Sequence, residues 1–410
     1  MSKQYQEVEI DPIAKEQLML YPAEQLDPIE RKFKKLTIGI PRENSIFEKR
    51  IALRPEAVAV LTRNGHHVLI ESGAGMHAKF EDREYSEAGA EITPSVKEIF
   101  ESDIVLKIQP PSEDELEYMK PGRTLISTLH MTTLTTEYLR ILLRKKIIGV
   151  AFEFIQDKVG GMPAVRTMSE IAGSTVMLIA AEFLSSYKNG KGIIMGGVTG
   201  VPPTKVVIVG AGTVGEYATR TAMGLGAEVK VFDRHIYKLR RLKYATGHQV
   251  YTSTIDGVML SDAISRADVL LTAVRAEKGR SPIIVTEDMV RRMKPNSIII
   301  DVSIDQGGCV ETSEPTTLQN PTFVKYGVIH YCVPNIASRV ARTSSTALSN
   351  IFAPYLLEIG ESGGIDEMIF KNKWFMKGVY AYKGSLTNPD VANKFNLPHK
   401  DLGLLMAARL

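Results

Sequence analysis

Cysteine is scarce in this chain: Cys309 and Cys332 are the only two among 410 residues. They could pair only with each other, and so few thiols exclude a disulfide-built scaffold and fit a reducing compartment. Charge of one sign is also lacking. The formal net charge is +3, and no basic run stands out, which argues against a nucleic-acid partner. No stretch approaches the roughly 18 unbroken apolar residues of a membrane span. The N-terminus has no signal-peptide pattern, and Glu7, Glu9, Asp11 and Glu16 argue against a transit peptide. The expected location is cytoplasmic. Zinc or calcium ligand spacing, a nucleophile elbow and a Walker loop are all missing, so no metal site is expected. Tandem repeats and low-complexity segments are missing too.

What is present is ordinary for a globular chain: 44% apolar and 24% charged residues. The length suits two or three domains with a large core. Residues 1–35 are polar and charged, and read as an appendage, a packing arm in an oligomer. From LTIGI (36–40) onward, strand-like runs alternate with amphipathic helices. HHVLIES, SDIVLKI, GRTLIST and KKIIGVAFEF read as strands, and PEAVAVLTRNG, SVKEIFES and TTLTTEYLRILLRKK as helices. A long helix is expected over 169–188. The Gly/Pro-rich connector GGVTGVPP follows, then a second series of strands, KVVIVG, AEVKVFD, ADVLLTA and NSIIIDV. Another helix is expected over 343–360, before a short tail. This alternation predicts an α/β fold with mostly parallel sheets.

The strongest local signal is KVVIVGAGTVG. An apolar strand runs into Gly210-x-Gly212-x-x-Gly215, and a helix follows. Such glycines permit a tight turn, close approach to a pyrophosphate and tight helix–strand packing, with the helix N-terminus donating to phosphate. The next strand ends in Asp233, at the distance where an acidic residue accepts from a ribose diol and repels a 2′-phosphate. That favours NAD over NADP, although Arg234 follows directly. A second cluster is IIIDVSIDQGG, where a strand ends in Asp301 and Asp305 follows in the loop. Asp301 is better explained as a turn or cap residue, Asp305 as a functional one. A third set is scattered: Arg50, Lys107 and His130 lie near strand ends. Two cations and an imidazole are the parts needed to hold a small carboxylate and move a proton.

Lys107 poses a question of its own. It sits in DIVLKIQ, where an ammonium costs desolvation unless it reaches water or meets an anion.

Several stretches, in order, make the chain resemble the alanine dehydrogenase family, which also contains the NAD-binding component of nicotinamide nucleotide transhydrogenase. They are IGIPRE, ESGAG, SDIVLKIQPP, STLHM, MSEIAG, GGVTGVPPTKVVIVGAGTVG, DVSIDQGGCVETSEPTT and GVIHYCVPN, spanning roughly residues 36–400. The resemblance implies two Rossmann-like doubly wound domains, with the NAD-binding domain (164–339) inserted in a discontinuous substrate domain (36–163 and 340–410). Two long helices would cross the junction, and 169–188 and 343–360 suit them. It also implies a homohexamer, without a membrane partner, that reversibly deaminates L-alanine to pyruvate and ammonia with NAD.

Carried over residue by residue, the resemblance gives Arg50 and Lys107 to the substrate carboxylate and carbonyl, and Asn335 a place beside substrate and nicotinamide. His130 becomes the general acid/base and Asp305 the second catalytic residue. Ser169, Asp233 and Lys238 contact NAD, beside Gly210, Gly212 and Gly215. On this reading Lys107 stands at a strand end that opens on a carboxylate-binding cleft. The chain departs from the family pattern in lacking a tyrosine before Arg50, in Ile336 after VPN, and in Arg166. Two alternatives therefore stay open: the NAD(H)-binding component of a transhydrogenase, and a dehydrogenase of another amino acid.

Overall fold

The computed structural model describes residues 33–44, 47–131, 133–275 and 280–407; the N-terminal appendage lies almost wholly outside them. The early strands are β1 (Thr37–Ile40), β2 (His67–Glu71), β3 (Glu91–Thr93), β4 (Ile104–Leu106), β5 (Thr124–Ser127) and β6 (Ile148–Ala151). The second series is β7 (Lys205–Val209), β8 (Glu228–Phe232), β9 (Tyr251–Ser253), β10 (Val269–Thr272), β11 (Ile298–Asp301), β12 (Thr322–Lys325) and β13 (Val328–Tyr331). Last come β14 (Val379–Tyr382) and β15 (Ser385–Leu386).

They form two sheets, ordered β15-β14-β6-β5-β4-β1-β2-β3 and β12-β13-β11-β10-β7-β8-β9. Both orders reverse about a first strand, the signature of a doubly wound sheet, and helices cover both faces. The central strands are near-continuous apolar runs because both of their faces are buried. KVVIV of β7 is buried at four of its five positions and IIID of β11 at all four. Each sheet ends in one antiparallel hairpin. These hairpins, β12–β13 and β14–β15, turn on Tyr326–Gly327 and Lys383–Gly384, each pair with both φ positive. That is the turn whose twist suits two strands joined by two residues.

The expected strands and helices are present, but the tail is not the short extension it looks like. It contributes β14 and β15 to the first sheet, with β14 antiparallel to β6. The long helix is Pro163–Leu184, starting six residues before the expected 169. Pro163 sits in its first turn, where a missing N–H costs nothing. This helix passes from one core to the other: Ala164 and Met168 pack in the first, and Ala172, Val176 and Ile179 in the second. By length and composition it could cross a membrane, yet half of its apolar window is buried inside the protein. The second long helix is Ala341–Glu361. Its Leu348, Phe352, Leu356 and Ile359 all join the first core.

Candidate active site

Parallel strands bring their C-terminal ends to one edge, and loops beyond that edge form the ligand crevice. In the first sheet Leu106 is in register with Ile126, and Ile126 with Val150. Lys107, Gln109, His130 and Glu153 therefore leave the same edge, beside the loop after β1 that carries Glu43, Glu48 and Arg50. In the second sheet Val209, Thr272 and Asp301 lie in one register row. The glycine turn and the Asp305 loop thus leave a common edge as well.

The centre of the first edge is a charge pair only two residues apart in sequence. The Arg50 backbone N–H donates to Glu48 Oε1 at 3.0 Å, its Nε to the same oxygen at 2.7 Å, and its Nη2 to Oε2 at 2.6 Å. Gln109 Nε2 donates to Oε2 at 2.9 Å. Burial alone would raise the Glu48 pKa, but Arg50 and these donors hold its carboxyl down at about 2. Arg50 Nη1 has a softer partner, the Met168 sulfur at 3.2 Å.

Asn335 joins the two edges. Its Nδ2 donates to Glu48 Oε2 at 3.0 Å and to the Phe47 carbonyl at 3.1 Å. Its backbone N–H donates to Asp305 Oδ1 at 3.2 Å. A left-handed backbone, φ 56°, lets Asn335 face both ways. Asp305 is accessible to solvent yet has protein on most sides, as a side chain in the mouth of a cleft has. Burial pushes its pKa up to about 6, against the pull of the Asn335 N–H and Arg50.

His130 also stands at the mouth, with solvent-accessible atoms and a left-handed backbone of φ 45°. Desolvation, reinforced by the Arg50 charge, lowers its pKa below the usual histidine range, with Glu48 pulling the other way. The neutral imidazole, able to accept a proton, therefore dominates at neutral pH.

Lys107 meets anions within the chain. It is 3% exposed, with its Nζ 3.7 Å from Glu43 and 3.5 Å from Glu115. Its partners are two carboxylates of the chain itself, Glu43 and Glu115. Gln109, two residues on and in contact with Glu48, is the side chain of this stretch that reaches the Arg50 centre. Glu43, Glu48, Gln109 and Glu153 were all missed in the sequence. The signal was there for Glu48, since an acid two residues from Arg50 in a loop can chelate its guanidinium.

The cofactor-side residues fall as follows. Gly210 has φ 111°, and a Cβ on it would stand 2.4 Å from the Ala273 carbonyl oxygen. A Cβ on Gly215 would stand 1.8 Å from the Gly210 oxygen. At Gly212, the N-cap of the helix Thr213–Gly224, a Cβ would meet nothing within 4 Å. Two glycines are thus required by the fold, and the third faces open space where a phosphate fits against helix amides. Asp233 is 5% exposed; it accepts from Ala211 N–H at 2.7 Å and His235 N–H at 2.8 Å, which fixes it under the turn. Asp301 is a cap: it accepts from Thr272 Oγ1 and from the N–H groups of Ser303, Cys309 and Val310. Ser169 lies next to Met168 on the crossing helix and donates to the Val165 carbonyl at 2.7 Å. Lys238 sits on the helix Ile236–Thr246 after β8, its Nζ 6.0 Å from the Tyr237 ring centre, with no contact to the Arg50 centre.

Two doubly wound sheets, a dinucleotide-type turn on one and a charged cleft on the other, define a nucleotide-dependent oxidoreductase. Comparison with known proteins gives the family. Residues 39–172 match "Alanine dehydrogenase/PNT, N-terminal domain" and residues 176–389 match "Alanine dehydrogenase/PNT, C-terminal domain". Alanine dehydrogenase of Methanococcus maripaludis is 39% identical over 89% of this chain and 98% of its own. That of Bacillus subtilis is 40% identical over 87% of this chain and 94% of its own. A solved L-alanine dehydrogenase superposes with a TM-score of 0.83 at 35% identity, over 88% of this chain and 99% of its own. A solved transhydrogenase of Sinorhizobium meliloti shares the fold, with a TM-score of 0.74 at 23% identity over 86% of this chain and 99% of its own. The chain belongs to the alanine dehydrogenase/PNT family, and it is an oxidoreductase of the alanine dehydrogenase kind.

Proposed function

We propose that the chain catalyses reversible oxidative deamination of L-alanine: L-alanine, NAD+ and water give pyruvate, ammonium, NADH and a proton. The observation that carries this is the Asn335 bridge, which ties the Glu48–Arg50 pair of one sheet to Asp305 of the other. The alanine carboxylate binds Arg50 Nη1, displacing a thioether contact far weaker than a carboxylate. Gln109 and Asn335 hold Glu48 and, through it, the guanidinium. Asp305 lies on the opposite wall, near the reacting carbon. The bound nicotinamide supplies the hydride acceptor. The glycine turn takes the pyrophosphate, Asp233 the ribose diol, and Ser169 and Lys238 flank the cofactor. His130, neutral at working pH, takes the proton from the water that adds to the substrate imine, then returns it as the amine departs. The substrate ammonium must lose a proton before hydride leaves, so deamination speeds up as pH rises.

This reading extends to a discontinuous substrate domain around the first sheet, an inserted NAD domain around the second, and a cytoplasmic homohexamer. Initial rates of NADH formation across amino acids, with NAD and NADP, test it. L-Alanine should be preferred, and NAD favoured by at least about tenfold, or about 1.4 kcal/mol. Asp233→Ala should narrow that gap. Equal efficiency with both cofactors, or preference for another amino acid, overturns the corresponding part. Turnover only with a membrane partner would favour the transhydrogenase alternative.

A further inference from the structure

Glu153 follows β6 and has no part in the chemistry above. Its Oε1 accepts the Leu129 backbone N–H at 2.7 Å. Its Oε2 is cut off from solvent and has no hydrogen-bond partner; the Tyr138 and Tyr380 hydroxyls, both buried, are likewise unpartnered. The next residue after Leu129 is His130, in the left-handed region that a non-glycine residue holds only when its surroundings fix it. The surroundings are few. Leu129 is fully buried, Thr133 and Leu134 N–H groups close onto the His130 carbonyl at 3.0 and 3.2 Å, and Glu153 pins the peptide before it.

We propose that Glu153 is a positioning residue for His130, holding the Leu129 amide and with it the strained turn that aims the imidazole into the cleft. The groups facing its carboxyl are the Leu129 and His130 amides, the Arg275 charge, and the Tyr138 and Tyr380 rings. Burial outweighs the amides and Arg275 and pushes its pKa up to about 7. A carbonyl oxygen of the neutral acid accepts the Leu129 N–H as the carboxylate does, so the role needs an acceptor, not a charge. This rests on the acid/base part of His130 proposed above.

The test compares Glu153→Ala and Glu153→Gln in the full chain. It reads kcat with L-alanine, NADH affinity and the imidazole titration of His130 by NMR, assigned with His130→Ala. Glu153→Ala should lower kcat by at least about tenfold and move the His130 titration by at least about half a unit, with NADH affinity within about twofold. Glu153→Gln keeps the acceptor and should restore kcat to within about threefold. If the alanine variant does not fold, the glutamine variant decides. An unmoved His130 titration in Glu153→Ala, or a folded, NADH-binding Glu153→Gln as slow as Glu153→Ala, overturns the proposal. Full activity in His130→Ala would break the acid/base reading instead, and the His130 titration would still decide what Glu153 does.

Discussion

Beyond β7, β8 and β11 the buried carboxylates are answered by uncharged donors, chiefly backbone N–H groups; beyond β1 and β4 such donors are joined by side-chain cations, at Glu48, Glu43 and Glu115. Asp233 and Asp301 each accept from the main chain. Glu48 has Arg50, Glu43 and Glu115 share Lys107, and one oxygen of Glu153 has no partner. Backbone donors neither titrate nor disappear on substitution. The second edge is therefore governed by backbone geometry, and the first by charge. An edge that must bind one invariant cofactor needs shape, whereas one that moves protons needs groups whose charge can change.

The sharpest way to break this contrast is at the glycines. Gly215→Ala forces a methyl against the Gly210 carbonyl at 1.8 Å, so the turn and the helix behind it must shift. NADH affinity should fall by about a hundredfold or more, with a clear loss of thermal stability, because the pyrophosphate rests on this turn and Asp233 is fixed beneath it. Gly212→Ala is its control. Gly212 has φ −72°, which alanine adopts freely, and its Cβ would enter open space. The melting temperature should stay at the wild-type value while NADH affinity drops by about tenfold. Equal affinity losses with equal destabilisation in both variants would mean that the turn is structural and the phosphate lies elsewhere. Fluorescence titration of NADH and a thermal melt read both quantities.

The next test is Lys107→Met. It removes the one cation between Glu43 and Glu115 and leaves two buried carboxylates facing each other. Removing one partner of a buried ionic cluster costs about 3 kcal/mol or more. The variant should melt well below wild type, with NADH affinity unchanged, since the cofactor edge does not touch it. A variant of wild-type stability would show that Lys107 is not needed to neutralise those acids.

How much of this was legible in the sequence follows the same divide. The second edge was readable, because its determinants are local: KVVIVGAGTVG and the Asp233 that ends the next strand define a turn from within some twenty residues. The nine strands expected from apolar runs are all present. The missed strands are short or late, such as β3 and β9, and the hairpins hid because Tyr326 and Lys383 stand where Asn or Asp would have signalled a tight turn. At the first edge Arg50 and His130 could be named, but not their surroundings. Glu48 meets Asn335 across 287 residues and Glu43 reaches Ile108 across 65. No local pattern encodes such contacts, so the two acids beside Lys107 could not be named.

The smallest expected effect concerns Glu43 and pH. Its side chain is 6% exposed and accepts from the Ile108 and Gln109 N–H groups at 2.6 and 3.2 Å. Burial, with help from the Glu48 charge, raises its pKa from 4.5 to about 7, although Lys107 opposes the shift. A folded-state pKa above the unfolded value means that the folded chain binds the proton more tightly. The stabilisation is complete below about 4.5 and is lost as pH rises through about 7. Glu48 runs the other way, since its pKa of about 2 adds stability above the unfolded value and gives it up only as pH falls toward 2. Of these two, only the Glu43 effect changes between pH 5 and 8. Glu43→Gln mimics the protonated acid and cannot ionise, although its amide nitrogen cannot accept the second N–H. That fixed loss cancels when the variant is compared with itself across pH. Relative to wild type, the variant should therefore gain stability from pH 5 to pH 8, by on the order of 2 kcal/mol. Melting temperatures of both proteins at several pH values give the difference directly. A gap that stays constant with pH would mean that Glu43 is ionised throughout and Lys107 outweighs its burial, which would make this corner of the first edge as indifferent to pH as the backbone-built edge opposite.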